Sequence, residues 1–119
     1  MQIPNFTVMA LAMAALLGGC SPGCENEVAR SIASPSREFK AVVFHRGCGA
    51  TTGFNTQVSV LPMAKQLPND EGNAFIIDGS VPLQIHWASE SRLLVTGRGP
   101  AKVFKQESMI GQVEVSYAN

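Results

Sequence analysis

Cysteine and histidine are the residue types in this sequence that could bind a metal ion. They are Cys20, Cys24, Cys48, His45 and His86. His45 and Cys48 have HxxC spacing, and Cys24 and His86 could complete a tetrahedral set of ligands. The sequence has no CxxC pair, however, and these residues are scattered along the chain. We therefore expect neither a metal site nor a cofactor, and we keep a Cys/His metal-binding protein as an alternative.

The two histidines could also act as general bases. A general base needs a positioned nucleophile or substrate, and the sequence contains no GxSxG, HExxH or paired-carboxylate pattern. His86 lies in the alternating stretch LQIHWA, residues 83–88, which predicts an exposed histidine beside a buried Trp87. We therefore expect no catalytic residue and a protein that is not an enzyme. A small hydrolase that uses His45 or His86 is the second alternative.

The stretch GCGATTG, residues 47–53, predicts a loop that could contact a ligand. Its three glycines permit positive φ angles and a close approach to the backbone, and its two threonines add hydroxyl groups. A phosphate-binding loop would be followed by a helix, whereas strand-like sequence follows here, so we expect no phosphate site. A tight connection between two strands is the simpler interpretation. The candidate binding loop consists of Arg46, Gly47, Gly49, Thr51, Thr52 and Gly53.

The composition excludes partners that are bound by charge alone. The 119 residues include nine basic and nine acidic side chains, so the formal net charge is zero. A nucleic-acid-binding protein would show a basic footprint, and adsorption to anionic lipid would need a cluster of basic residues. The hydrophobic content of 45% is typical of a globular protein. We therefore expect one folded domain that does not bind nucleic acid.

The N-terminal segment has the features of an export signal. Residues 6–17, FTVMALAMAALL, are apolar apart from one threonine. As a helix they would span about 18 Å, which is short for a bilayer core of about 30 Å but suits the h-region of a signal peptide. The next residues complete Leu17-Gly18-Gly19-Cys20, which resembles the lipobox of bacterial lipoproteins. That resemblance implies a signal peptide over residues 1–19 and lipidation of Cys20. Ser21 after the anchor then favours the outer membrane, facing the periplasm, in a Gram-negative cell.

Lipidation of Cys20 would leave Cys24 and Cys48, and two cysteines in an oxidising compartment predict a disulfide. The bond would close a loop of about 25 residues and contribute about 3 kcal/mol on the chain-entropy model. Free thiols, an intermolecular bond and the metal site remain as alternatives. Residues 20–36 are mostly small and polar. We expect them to form a tether, although VARSIA, residues 28–33, could be a short edge strand.

Turn signals every eight to twelve residues predict that the rest of the chain, residues 37–119, is a single β domain. The expected strands lie in EFKAVVFHR, FNTQVSVL, AFIID, LQIHWA, RLLVT, AKVFKQE and QVEVSY. These stretches are rich in β-branched and aromatic residues, and several alternate between apolar and polar positions. The last two could form a final hairpin. The predicted fold is mostly β, a small antiparallel sandwich or meander of six to seven strands after an N-terminal signal helix.

A second resemblance covers the first half of this domain. The segment SPSREFKAVVFHRGCGATTGFNTQVSVL, residues 34–61, is similar to a family of small, uncharacterised bacterial envelope proteins. Their shared pattern is close to SPDGxxKAVVFxRxCGATTGFxTxVSI and often follows a lipoprotein signal. Ser36-Arg37 stands where Asp-Gly is usual. The resemblance implies a fold and a location but no activity.

These features together predict a membrane-anchored lipoprotein of the cell envelope that is a non-catalytic binding or interaction module. We expect the module to bind an envelope protein or ligand through the candidate binding loop and the adjacent strand edges. An exposed sheet edge can pair with a strand of a partner. The expected partners are therefore the membrane, reached through the lipid anchor, and that envelope component.

Overall fold

The computed structural model describes residues 23–49 and 53–119, which contain nine β-strands. The strands are β1 (Glu25–Ala33), β2 (Phe39–Gly47), β3 (Asn55–Pro62), β4 (Phe75–Asp78), β5 (Gln84–Ser89), β6 (Arg92–Thr96), β7 (Val103–Gln106), β8 (Met109–Ile110) and β9 (Val113–Ala118). The expected signal helix, Cys20, Thr51 and Thr52 lie outside the described residues. Within the described ranges, no helix has the length and apolar character needed to cross a membrane.

The strands form two sheets that pack face to face. The first sheet has the order β1-β2-β3-β4-β7 and is antiparallel; the second has the order β5-β6-β9-β8 and includes one parallel pair, β6 with β9. Apolar side chains from both sheets form one buried cluster, as in a β-sandwich. The cluster contains Ala41, Val43, Val58, Val60, Ala74, Phe75, Ile77, Leu83, Ile85, Trp87, Leu93, Val95, Val113 and Val115. The predicted β fold and the buried position of Trp87 are confirmed.

Strand β2 is covered on both faces. Ala41 belongs to the cluster between the sheets, whereas Val42 and Phe44 point to the outer face of the first sheet. The segment 63–73 crosses that outer face, and its Leu67 packs on the two side chains. A strand that is buried on both sides needs apolar residues at successive positions, which is what the sequence AVVF supplies.

The structure differs from the expected tether over residues 20–36 and agrees with the alternative of an edge strand at residues 28–33, because Glu25–Ala33 form the edge strand β1. This strand pairs with β2 through almost its whole length, interrupted by one bulge. Most of its residues are exposed, so its sequence carries little of the apolar pattern by which strands are recognised. β1 and the two-residue strand β8 raise the number of strands from the expected six or seven to nine.

Contacts with the second sheet fix β1 in place. The Arg30 guanidinium donates to Gln84 Oε1 of β5 over 2.6 Å, and Trp87 Nε1 donates to the Ile32 carbonyl over 3.0 Å. β1 and β5 are the edges of their respective sheets, so these bonds close one side of the sandwich. The Trp87 indole thus occupies the Ile32 carbonyl of β1, which reduces the capacity of this edge strand to pair with another chain.

The two last predicted strands do not form a hairpin, so that prediction is wrong. β7 pairs with β4 in the first sheet, whereas β9 lies between β6 and β8 in the second. Alternation in the sequence of a strand indicates which of its residues share a face, but it does not indicate which other strand pairs with it. Here the long-range pairing buries Val113 and Val115 between the sheets, together with Leu93 of β6.

The β1–β2 turn contains Arg37, whose φ of 64° is the only positive value among non-glycine residues in the described ranges. We predict that Arg37→Gly raises the free energy of unfolding by about 0.5 kcal/mol, because a left-handed backbone costs a residue with a Cβ about 1 kcal/mol and glycine loses more entropy on folding. Urea titration of the variant and the parent measures this change. Ser36→Gly, at a position without positive φ, should lower stability, and a loss of stability in both variants would contradict the prediction.

Tyr117 of β9 forms hydrogen bonds that link the second sheet to residues next to β4 and β7 of the first sheet. Its hydroxyl donates to the Glu107 carbonyl over 2.6 Å and lies 3.2 Å from the Ala74 carbonyl. Burial, with a further contribution from the charge of Glu107, raises the pKa of Tyr117 from 10.0 to about 12. The native state therefore keeps the phenol proton at pH values where the unfolded chain loses it.

We predict that the protein loses stability as the pH rises from about 10 to about 12, since the raised pKa of Tyr117 favours folding only while the phenol is protonated. The chain has a single tyrosine, so the absorbance of tyrosinate follows this group alone. Its midpoint should lie near 12 in the native protein and near 10 in denaturant. Equal midpoints would contradict the prediction, and Tyr117→Phe should remove this loss of stability.

Candidate functional site

Cys24 and Cys48 form the predicted disulfide. Cys24 directly precedes β1 and Cys48 directly follows β2, so the bond closes the open end of the β1–β2 hairpin. Both sulfur atoms are thereby unavailable as thiolate ligands. His45 and His86 belong to different sheets, and no group of three metal-ligating side chains occurs in residues 23–49 and 53–119. The tetrahedral Cys/His set considered from the sequence is therefore not assembled.

The two histidines have different surroundings. His86 is exposed on β5, in the position that alternation predicted. His45 lies near the end of β2, and its Nε2 is 3.4 Å from Ser80 Oγ. The one ion pair found in the described part of the chain joins Arg92 to Glu114, so no carboxylate is paired there with His45. A long contact of this kind without an orienting third group is weaker than the arrangement that activates a nucleophile.

The structure describes four members of the candidate binding loop, which are Arg46, Gly47, Gly49 and Gly53. Gly47 and Gly49 suit the conformation of the loop, whereas Arg46 contacts another part of the sheet. Gly49 has a φ of 120°, in keeping with the expected need for glycine. Gly47 lies beneath the ring of Phe54, because a Cβ on Gly47 would stand 2.8 Å from the ring. Arg46 instead points to the outer face of the first sheet and donates to Asn26 Oδ1 over 2.8 Å.

Arg46 holds the segment that crosses the outer face. Besides Asn26, its guanidinium donates to Asn69 Oδ1 over 2.9 Å. The amide of Asn26 in turn donates to the carbonyls of Pro68 and Asp70, over 3.0 and 2.9 Å. The structure therefore assigns Arg46 a role in fixing residues 68–70 on β1 and β2.

The strands next to the candidate loop offer no free edge. β2 lies between β1 and β3, and β3 lies between β2 and β4, so neither strand is at the edge of the sheet. The edges of the first sheet are β1 and β7, so a partner strand that pairs beside this loop would use β1, which begins next to the disulfide. β7, the outer strand of the first sheet, is only four residues long and pairs with β4 through an irregular register, which makes it a poor template for an added strand.

The end of segment 63–73 is bound tightly to β3. The backbone amide of Gly72 donates to the buried Gln57 Oε1 over 2.7 Å, and that of Asn73 donates to Ser59 Oγ over 3.1 Å. The Asn73 side chain also pairs with both backbone groups of Val60, at 2.9 and 2.8 Å. These bonds satisfy the buried polar groups of β3 and keep the segment in one position.

A groove remains on the outer face of the first sheet beside this segment. It consists of two adjoining cavities that share Asn55, Gln57 and Glu71. The cavity of about 260 Å³ is completed by Arg46, Cys48 and Gly53, and the cavity of about 450 Å³ by Ile76, Phe104 and Lys105. We call this surface the outer groove. It begins beside the disulfide and ends at β7.

The outer groove combines hydrogen-bonding groups with an exposed aromatic ring. Asn55, Gln57, Glu71 and Lys105 supply amide, carboxylate and ammonium groups, while Phe104 is 52% exposed. Phe104 lies at the register irregularity between β4 and β7, which presents it on the surface. Such a lining is suited to binding a polar chain with some apolar surface, because the polar groups fix orientation and the ring supplies contact area.

The sequence did not indicate the outer groove. Its lining comes from β2, β3, the segment 63–73, β4 and β7, which are far apart along the chain. The one local signal was Phe104, an aromatic residue between lysines in AKVFKQE. Comparisons of the chain with family models, curated proteins and solved structures give no match.

Proposed function

We propose that this chain is a lipid-anchored protein of the cell envelope whose β-sandwich is a non-catalytic binding module. Lipidation of Cys20 attaches it to the membrane, and the outer groove binds an envelope protein or ligand. The observation that best supports a location in the cell envelope is the Cys24–Cys48 disulfide. Disulfides of this structural kind form in oxidising compartments, and this one begins four positions after the cysteine of the lipobox-like LGGC.

The disulfide also suits an anchored protein mechanically. Any load on the lipid anchor reaches the domain at Cys24, at the start of an edge strand. Without a cross-link, an edge strand pulled from its end would separate from its neighbour one pair at a time. The bond to Cys48 transfers the load to β2, which is paired on both sides.

The outer groove supports binding because its walls are already in place. Arg46 and Asn26 hold residues 68–70 of the segment 63–73, and Gln57 and Ser59 hold its last two residues. A preformed surface binds without the entropy cost of ordering a loop. The groove lies beside the glycine-rich loop but extends well beyond it, to Phe104.

The anchor is tested by the intact mass of the protein extracted from membranes without reduction. We expect a polypeptide that begins at Cys20, carries acyl chains and is two hydrogens lighter than its reduced form. Cys20→Ala should remain unacylated and should leave the membrane fraction on mild extraction. A native protein that retains residues 1–19 and carries no acyl chain would contradict the proposal.

The binding surface is tested separately by a photocrosslinking amino acid at position 104 in living cells. We expect one discrete product from this position and none from position 86, which is exposed on the opposite sheet. The product at position 104 should disappear when Lys105 is changed to glutamate, since Lys105 lines the same part of the outer groove. Equal products from both positions would show that the groove has no special role.

A further inference from the structure

We infer that the disulfide end of the sandwich lies against the bilayer and that Phe54 enters the lipid interface. This inference rests on the proposed lipidation of Cys20. It adds a second contact with the membrane and fixes which end of the domain faces it. We call the surface formed by Cys24, Gly47, Cys48 and Phe54 the tether end.

The length of the chain between anchor and domain limits where the domain can lie. Four peptide units separate Cys20 from Cys24, so the two Cα atoms are at most about 14 Å apart. Cys24 cannot move away from the domain, because it is bonded to Cys48. The tether end therefore stays close to the membrane surface in every orientation of the lipidated protein.

Phe54 is the apolar side chain that this position brings to the lipid. Its ring lies over Gly47, whose partner across the β1–β2 ladder is Glu25, the residue after Cys24. Phe54 is 58% exposed, so most of its ring is available for contact. Gly47 and Gly49 beside it carry no side chains that would hold the ring away from a flat surface.

A modest free energy is enough to select this orientation. Burying the exposed part of one phenylalanine is favourable but would not by itself bind a free protein to a membrane. The short anchor already keeps the ring within reach of the lipid, however, so the contact forms without a further loss of translational freedom. Burial of the ring then favours the bound orientation several-fold.

The charges at this end indicate which lipids it accepts. Glu25 and Glu27 of β1 are exposed there, and Arg46, the nearby cation, is bound to Asn26 and Asn69. His45 is adjacent and contacts Ser80. The two carboxylates would be repelled by an anionic surface. We therefore assign the contact to a zwitterionic phospholipid surface, with the ring of Phe54 rather than charge as the source of affinity.

The experiment places a tryptophan at position 54 or at position 104 of the full-length, lipidated protein in phosphatidylcholine vesicles with brominated acyl chains. Phe104 is a matched control, because it is a similarly exposed phenylalanine on the outer groove. The native Trp87 is buried and common to all samples, so the parent supplies the baseline. Bromine quenches tryptophan only where the ring reaches the acyl region.

We expect the added fluorescence of Phe54→Trp to be mostly quenched and that of Phe104→Trp to be unaffected. Equal quenching, or quenching of position 104 alone, in protein whose acyl chains are verified by mass would overturn this inference and leave the lipid anchor standing. Protein that carries no acyl chain would overturn the anchor and this inference together. Stronger quenching in anionic vesicles than in phosphatidylcholine would contradict the assigned lipid class.

Discussion

Changing both Cys24 and Cys48 to serine should lower the free energy of unfolding by about 3 kcal/mol. The bond closes a loop of about 25 residues, and the chain-entropy model assigns a loss of this size when the unfolded chain is released from such a loop. Few native contacts change, because the β1–β2 ladder and its bonds to β5 do not involve the sulfur atoms. The loss therefore comes mainly from the greater freedom of the unfolded state.

Urea unfolding of the double variant and the parent, followed by the fluorescence of Trp87, measures this loss. Both cysteines must be changed, since a single free thiol could form a disulfide between two molecules. Cys20→Ala serves as the control and should unfold as the parent does, because it leaves the Cys24–Cys48 bond intact. An unchanged midpoint in the double variant would show that the ladder alone fixes the hairpin.

The loss of stability should be accompanied by local opening of β1. Apart from the β2 ladder, its first residues are held within the described part of the chain only by the Asn26 side chain, which bonds to the segment 63–73. By contrast, Ile32 is held by the buried Trp87 and the following Ser34 by Glu90. Amide exchange in the double variant should therefore increase most at Glu25 to Val28. A uniform increase across both sheets would indicate that β1 opens only with the whole domain.

The general fold could be predicted because burial in a sandwich has a period of two residues. LQIHWA and QVEVSY alternate, and the structure buries Ile85, Trp87, Val113 and Val115 on one side. The order of the strands could not be predicted in the same way. β9 pairs in parallel with β6 rather than with its predicted neighbour, and local alternation contains no information about that choice.

The edge strand β1 was difficult to predict for a related reason. Its stability comes from contacts with distant residues, such as Gln84 bound to Arg30 and Trp87 bound to the Ile32 carbonyl. The sequence ENEVARSIA shows only Val28 and Ile32 as large apolar residues. Polar edge strands of this kind are common where a sheet must not pair with other chains.

Only one part of the candidate site, the disulfide, could be predicted from the sequence. It depends on the residue types present and not on where the fold places them. Two cysteines in an exported protein indicate a disulfide wherever the fold places them, and the structure contains it. The role of Arg46 was not predictable, because its partners Asn26 and Asn69 come from β1 and from the segment 63–73. The outer groove depends on the same segment and was missed with it.

Gly72→Ala should lower the free energy of unfolding by about 3 kcal/mol, although Gly72 does not need a positive φ. A Cβ at this position would stand 2.7 Å from the Val58 carbonyl oxygen and 3.2 Å from Gln57 Cβ. Both atoms belong to the buried strand β3, which is paired on each side and cannot move aside. The segment 63–73 must therefore lift away from the sheet.

Lifting the segment would break several contacts at once. The bonds from Gly72 to Gln57 and from Asn73 to Ser59 would lengthen, which leaves buried acceptors on β3 without partners. Phe44, which is fully buried beneath this segment, would become partly exposed. Glu71 would move with the chain, so the outer groove should lose its shape together with the stability.

The matched control is Gln66→Ala, since Gln66 is exposed on the same segment and is not among the residues that line the outer groove. This variant should change the free energy of unfolding by less than about 0.5 kcal/mol. Urea unfolding compares the two variants, and the crosslinking at position 104 reports on the groove. Loss of both stability and the crosslink in Gly72→Ala alone would link the packing of segment 63–73 on β3 to the binding surface. Equal stability of the two variants would instead show that the segment can shift on β3 without cost.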